Sequence, residues 1–204
     1  MTDWFEPLYR AADRGEREIP WHRGDANPLI AAWARGLDGA GRRAVVVGSG
    51  TGDDAELIAS RGFATSAFDV AETAIAIARR RFPDSRVDYR VADLLDPPGE
   101  WERAFDLVVE SITVQSLPVA LRERVIAAVR RLVAPGGTLL VYSGVRAEGE
   151  DVDGPPWPLT RSELESFARD GIEPVRVEQP GGRWLAEFRR RPGSQPAPEA
   201  GTGP

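Results

Sequence analysis

Gly48-Ser49-Gly50-Thr51-Gly52 follows the β-branched run Val45-Val46-Val47 and leads straight into Asp53-Asp54. A strand that ends in glycines and turns into a helix brings its backbone close to a ligand, because glycine adopts the tight turn and presents no side chain. Asp69 stands about 20 residues after the first glycine, where a carboxylate at a strand end accepts hydrogen bonds from ribose hydroxyls. Val70 follows it. Asp93-Leu94 closes the next strand pattern: the carboxylate can receive an adenine amino group while the leucine packs on the ring. Together Gly48, Ser49, Gly50, Gly52, Asp69, Val70, Asp93 and Leu94 are candidates to hold an adenosine-type ligand. Glu110, at the end of a fourth strand pattern, is a further binding candidate on the same edge. His22 is the single histidine and the one side chain whose ordinary pKa lies near neutrality, which makes it the candidate general base.

Two ligand classes use this geometry, dinucleotides and S-adenosylmethionine. The glycine spacing is one residue shorter than the dinucleotide fingerprint between the second and third glycines. A pyrophosphate would sit at the helix N-terminus, where Asp53 and Asp54 already occupy the first turn. S-adenosylmethionine carries a sulfonium and an ammonium and no phosphate, so carboxylates there are tolerated. An NAD(P)-dependent oxidoreductase and a non-catalytic S-adenosylmethionine-binding protein stay open as alternatives.

These residues must be positioned by an α/β frame. Strand patterns run over Arg43–Gly48, Phe63–Asp69, Arg86–Val91, Phe105–Glu110 and Thr138–Tyr142. Helix patterns alternate with them over Asp53–Arg61, Ala71–Phe82 and Leu117–Val133. Pro135-Gly136-Gly137 turns the chain into the fifth strand. After the acidic, Gly/Pro-rich loop Glu148–Pro158, Thr160 and Glu163 form a capping box ahead of a helix to Asp170. Pro174–Glu178 and Arg183–Arg190 read as two strands joined at Pro180-Gly181-Gly182. From Pro192 the composition predicts a disordered tail.

The 204 residues suit one domain. No apolar run is long enough to span a membrane, and the first residues lack the pattern of a signal peptide. With no cysteine, the chain has no disulfide or thiolate chemistry, which fits a cytoplasmic protein. All 26 cationic residues are arginine, which excludes a lysine Schiff base. A lone histidine argues against a His-built metal centre. A net charge of −6 argues against nucleic acid as partner and for a small-molecule substrate. Asp96-Pro97-Pro98 is not an amino-methylating Asp-Pro-Pro-Tyr motif, because Gly99 replaces the aromatic residue and the motif follows the third strand. Nothing in the sequence fixes an oligomeric state.

Trp4, Phe5, Tyr9, Trp21 and Trp33 crowd the segment ahead of the first strand. They are either helices packed on the sheet edge or an aromatic lid over the strand C-termini, where open α/β sheets bind ligands. Taken with the glycine loop, Asp69, Asp93-Leu94, Phe105–Glu110 and Leu132–Leu139, the chain resembles the class I S-adenosylmethionine-dependent methyltransferases over roughly residues 40 to 145. Pro20-Trp21-His22-Arg23-Gly24 ahead of Asn27-Pro28-Leu29 is similar to the N-terminal segment of the thiopurine methyltransferase-like group. That resemblance implies an aromatic segment closing over the cofactor, with Trp4 and Trp21 in contact with it. The family implies a Rossmann-like, doubly wound, seven-stranded sheet with the last strand antiparallel and helices on both faces. It also implies the cofactor S-adenosyl-L-methionine. The expected organisation is a helical lid segment over residues 1–38, a cofactor-binding domain over 39–191 and the tail over 192–204.

Overall fold

The computed structural model describes residues 4–193. The tail expected from Pro192 therefore lies, from residue 194 onward, outside the described residues, as do residues 1–3 of the expected lid segment. Seven strands form one sheet: β1 (Arg43–Val47), β2 (Ala64–Asp69), β3 (Asp88–Val91), β4 (Phe105–Ser111), β5 (Val133–Gly144), β6 (Ile172–Glu178) and β7 (Arg183–Arg190). Their order is β3-β2-β1-β4-β5-β7-β6. The pairs from β3 to β5 are parallel, and β7 runs antiparallel to both β5 and β6. This is the doubly wound sheet with an antiparallel last strand that the sequence implies.

Side chains alternate across the pleat, so each strand feeds two apolar layers. Val45, Val47, Val108, Leu139, Val141, Ala186 and Phe188 face one layer; Ala44, Val46, Leu107, Val109, Leu140 and Tyr142 face the other. The first layer is covered by α5 (Arg122–Leu132) and α6 (Arg161–Glu165), through Val125, Ile126, Val129 and Leu164. The second is covered by α2 (Pro28–Trp33), α3 (Asp53–Ser60) and α4 (Glu72–Arg81), through Ile30, Ile58 and Ile75. Both faces being buried explains why these strands read as continuous apolar runs.

Several boundaries differ from expectation for local reasons. The helix expected from Leu117 begins at Arg122. Leu117 precedes Pro118 and is extended (φ −107°, ψ 147°), because proline disfavours the helical conformation in the residue before it. Strand β3 starts two residues late, since the Ser85 hydroxyl accepts the Val87 amide (3.0 Å) and holds that residue in a turn. The capping box forms in both directions, Thr160 Oγ1 accepting from Glu163 N (3.1 Å) and Glu163 Oε2 from Thr160 N (2.9 Å). The helix behind it is nevertheless only Arg161–Glu165. Strand β5 already pairs at Val133, opposite Phe105, and resumes at Thr138 opposite Leu107. Pro135-Gly136-Gly137 is thus an irregularity within the strand, closed by Gly137, where a Cβ would lie 2.9 Å from the carbonyl oxygens of Phe105 and Ala134.

The N-terminal helix α1 (Phe5–Asp13) is fixed to α4. Glu6 accepts from the Thr73 hydroxyl (2.6 Å) and amide (3.1 Å), and Arg80 pairs with Asp13. Phe5, Leu8 and Tyr9 are buried. No helix among the described residues is long and apolar enough to cross a membrane.

Candidate functional site

The glycine loop is built as its composition requires. Gly48, Gly50 and Gly52 all have positive φ (57°, 53° and 97°), a region that costs other residues about 1–2 kcal/mol. The three glycines nevertheless serve different purposes. A Cβ on Gly48 would fall 2.3 Å from Thr113 Oγ1, and a Cβ on Gly52 would fall 2.4 Å from Tyr89 Oη. These two are small so that the loop can close on its own protein. At Gly50 a Cβ would point at Tyr9 Oη (3.0 Å) and Trp21 Nε1 (3.8 Å), the roof of a cavity of about 1110 Å³. Ser49, on the same loop, has a buried hydroxyl with no partner among the described residues.

Asp69 links this loop to β2. Its Oδ2 accepts from Gly50 N (3.0 Å) and its Oδ1 from Ala71 N (2.9 Å). Burial pushes its carboxyl up to about 6, against the pull of the Ala71, Gly50 and Val70 amides. With three backbone amides on about four lone-pair sites, the carboxylate keeps one for a ligand, and Asp69 lines the cavity. Val70 lines it too, with 37% of its surface exposed. Asp93 gives one oxygen to Leu95 N (2.8 Å), while Leu94 is buried beside it on the cavity wall.

The aromatic segment closes the other side. Trp21 Nε1 donates to Tyr9 Oη (3.1 Å), and the Trp4 ring meets Trp21 edge-on at 5.9 Å. Both tryptophans line the cavity. His22 sets its Nδ1 2.9 Å from Thr51 Oγ1, and that hydroxyl donates to Asp53 Oδ2 (3.1 Å). With its one proton given to Asp53, Thr51 accepts from the histidine Nδ1–H, which leaves Nε2 with the lone pair in the neutral ring.

Two expectations change here. Asp53 and Asp54 are not a bare negative pair. Burial raises Asp53, but the two-point contact of the Arg81 guanidinium (2.8 and 2.7 Å) outweighs it and holds the carboxyl below its ordinary value. Asp54, pushed up by burial, accepts the Asn27 amide (2.8 Å) that starts α2. The acidic turn is therefore largely compensated, and its repulsion of a phosphate is weaker than the sequence suggests. Glu110 is fully buried and does not line the cavity. Its Oε1 accepts Val114 N (2.9 Å), and burial raises its carboxyl to about 7 despite the Val114 and Thr113 amides and nearby Arg122. The alternation of β4 turns it below the site, where it caps the turn after the strand. Gly52, likewise, does not line the cavity.

Strand order divides what remains. Gly48, Asp69 and Asp93 follow β1, β2 and β3 on one half of the sheet edge; Ser111, Tyr142 and Arg183 stand at β4, β5 and β7 on the other. Tyr9, Thr113, Tyr142 and Arg183 were not singled out as site residues. Tyr9 stands in the aromatic segment, Thr113 three residues beyond Glu110 and Tyr142 at the end of the fifth strand pattern, but packing between distant segments brings each of the four to the cavity.

The model of the Methyltransferase domain family matches residues 44–137. A 2-heptyl-1-hydroxyquinolin-4(1H)-one methyltransferase from Mycobacteroides abscessus is 28% identical over 93% of this chain and 90% of its own length. A ubiquinone biosynthesis O-methyltransferase from Pseudomonas aeruginosa is 33% identical over 67% of the chain, which spans 59% of that relative. The fold is shared with the N-methyltransferase NodS from Bradyrhizobium japonicum, solved with S-adenosyl-L-homocysteine. That match has a TM-score of 0.67 and 21% identity over 90% of this chain and 98% of the other. These likenesses are to the methyltransferase domain at large, and the thiopurine methyltransferase-like resemblance is confined to the segment around Trp21. With the glycine loop, the strand-end carboxylates and the sheet topology, they set the dinucleotide reading aside: the chain belongs to the class I S-adenosylmethionine-dependent methyltransferases.

Proposed function

We propose that this methyltransferase modifies an oxygen nucleophile on a small molecule bound over β4, β5 and β7, beside a cofactor held over β1, β2 and β3. The single observation behind this reading is the continuous cavity of about 1110 Å³ running from the glycine loop to Arg183 under the aromatic segment. Ligand pockets span roughly 300–1,000 Å³, so this one has room for a cofactor and a compact acceptor. The two relatives named above act on a hydroxyquinolone and in ubiquinone biosynthesis, which supports an oxygen acceptor of that size. The net charge of −6 supports a small molecule over nucleic acid.

The residues present fit S-adenosylmethionine: a Gly50 position with no side chain beneath Tyr9 and Trp21, an unpartnered Ser49 hydroxyl and a strand-end carboxylate with a spare lone pair. Bound there, the cofactor supplies a methyl group already activated by a sulfonium. Asp69 accepts from the ribose hydroxyls and the second oxygen of Asp93 from the adenine amino group. Val70 and Leu94 flank the ring. Trp4 and Trp21 close over the cofactor and exclude water, which strengthens every polar contact inside. The chain's main contribution is orientation. His22, through Nε2, takes the proton of an acceptor that enters protonated.

Calorimetry should show binding of S-adenosylhomocysteine and none of NAD. Turnover with hydroxylated heterocycles and phenols, read by mass spectrometry, should add one methyl group. No affinity for S-adenosylhomocysteine, or binding without turnover of any acceptor in the panel, would overturn the proposal.

A further inference from the structure

We propose that Arg183 makes this site selective for acceptors in their anionic form, a phenolate-type or N-oxide-type oxyanion. This rests on the proposed acceptor position over β4, β5 and β7. Arg183 opens β7 and pairs with Gly144, the last residue of β5, at the strand C-terminal edge where ligands of parallel sheets bind. The alternation of β7 sends Trp184, Ala186 and Phe188 into the layer under α5. Arg183 and Leu185 therefore share the opposite face with Tyr142, which also lines the cavity.

Three arginines line the cavity, Arg17 and Arg23 from the N-terminal segment and Arg183 from the sheet, on the acceptor half. Glu187, four residues along on the same face of β7, accepts from Trp33 Nε1 (2.9 Å). Asp53 is held by Arg81, and Asp54 accepts the Asn27 amide and the Ser111 side chain and faces Arg23. His22 is engaged with Thr51. Arg183 lines the cavity, and its side chain has no hydrogen-bond or ion-pair partner among the described residues. Its guanidinium offers five donors in a planar fork suited to an oxyanion.

The chemistry uses this charge consistently. The acceptor enters as its conjugate base, its proton left in solvent. An oxygen lone pair forms the new O–CH3 bond, the S–CH3 bond breaks, and its electron pair returns to sulfur. The sulfonium and the oxyanion are both neutralised, so Arg183 interacts more strongly with the bound ground state than with the product. It is a specificity residue, raising affinity without raising the rate of the chemical step.

The test uses the full chain loaded with S-adenosylhomocysteine. It is titrated with 2-heptyl-1-hydroxyquinolin-4(1H)-one and 4-nitrophenol on either side of each probe's own pKa, and with 4-nitroanisole as the uncharged match. The wild type should bind the ionised probe more tightly than the neutral one. Arg183→Gln should lose about three- to tenfold in affinity for the ionised probe, a modest factor because Arg183 is solvent-exposed. Arg183→Lys should recover part of it. Where a probe is methylated, Arg183→Gln should raise KM without lowering kcat. S-adenosylhomocysteine affinity and Tm should be unaffected. Equal affinity for ionised and neutral probes, an unchanged Arg183→Gln variant, or no binding of either ionisable probe overturns the assignment. Failure of S-adenosylhomocysteine itself to bind would instead defeat the cofactor reading on which it rests.

Discussion

Replacing Asp69 by asparagine separates its part in binding from its part in the fold. The carboxylate accepts from Gly50 N at 3.0 Å and Ala71 N at 2.9 Å. Burial raises its carboxyl from 3.8 to about 6. That shift corresponds to about 3 kcal/mol favouring the protonated form, at 1.36 kcal/mol per unit. The sign follows from linkage: a carboxyl raised on folding contributes stability below about pH 4 that is lost as the pH rises through about 6. At neutral pH Asp69→Asn removes this cost, while its amide nitrogen cannot accept from one of the two backbone donors, a loss of about 1–3 kcal/mol. Stability should change little. Cofactor affinity should fall sharply, because a hydrogen bond to a charged group is worth about 1.5–3 kcal/mol, a factor of roughly ten to one hundred. In the wild type, S-adenosylhomocysteine affinity should decline as the pH drops below about 6, by up to tenfold per unit, and in Asp69→Asn it should be flat over that range. Calorimetry from about pH 8 to about pH 5, beside thermal melts, checks both arms. An asparagine variant that binds like the wild type, or a pH-independent wild type, would refute the ribose role.

Trp21 is half-buried, so Trp21→Ala should cost about 1–2 kcal/mol of stability and weaken S-adenosylhomocysteine binding about tenfold. Unchanged binding with a large drop in Tm would make the segment simple packing. Gly52→Ala drives a methyl to 2.4 Å from Tyr89 Oη and should destabilise the fold by about 1–3 kcal/mol. Gly50→Ala carries the same positive-φ cost of about 1–2 kcal/mol and, facing the cavity, should in addition lower cofactor affinity, which Gly52→Ala should leave nearly unchanged; equal losses of affinity in calorimetry would contradict the distinction. Glu110→Gln mimics the protonated form of a carboxyl raised from 4.5 to about 7. The wild type loses stability as the pH rises through that window, so the variant's advantage should grow to about 2–3 kcal/mol by about pH 8. Parallel Tm–pH curves would be inconsistent with an ionised, buried Glu110.

Much of the fold was legible because its signals are local. Val45-Val46-Val47 ending in glycine, the capping box at Thr160 and the turn at Pro180-Gly181-Gly182 each act within a few residues. Boundaries failed where a neighbour overrode the pattern, as when Pro118 delayed α5. Glu110 was misread because its position at a strand end is evident from sequence, while the pleat face it occupies depends on how β4 pairs with β1 and β5. The acidic first turn of α3 was misjudged because Arg81, 28 residues further on, supplies its counter-charge.

The order of strands and helices, the glycine loop and the carboxylate at the end of β2 follow from local sequence, since backbone sterics and hydrophobic period are properties of short segments. Which glycines face the ligand, that Tyr9 and Trp21 roof Gly50, and that Arg183 and Tyr142 share one wall of the cavity depend on packing between distant segments. Those contacts join residues dozens of positions apart. They exist because burying both faces of one sheet forces α1, α3 and β7 onto its common edge.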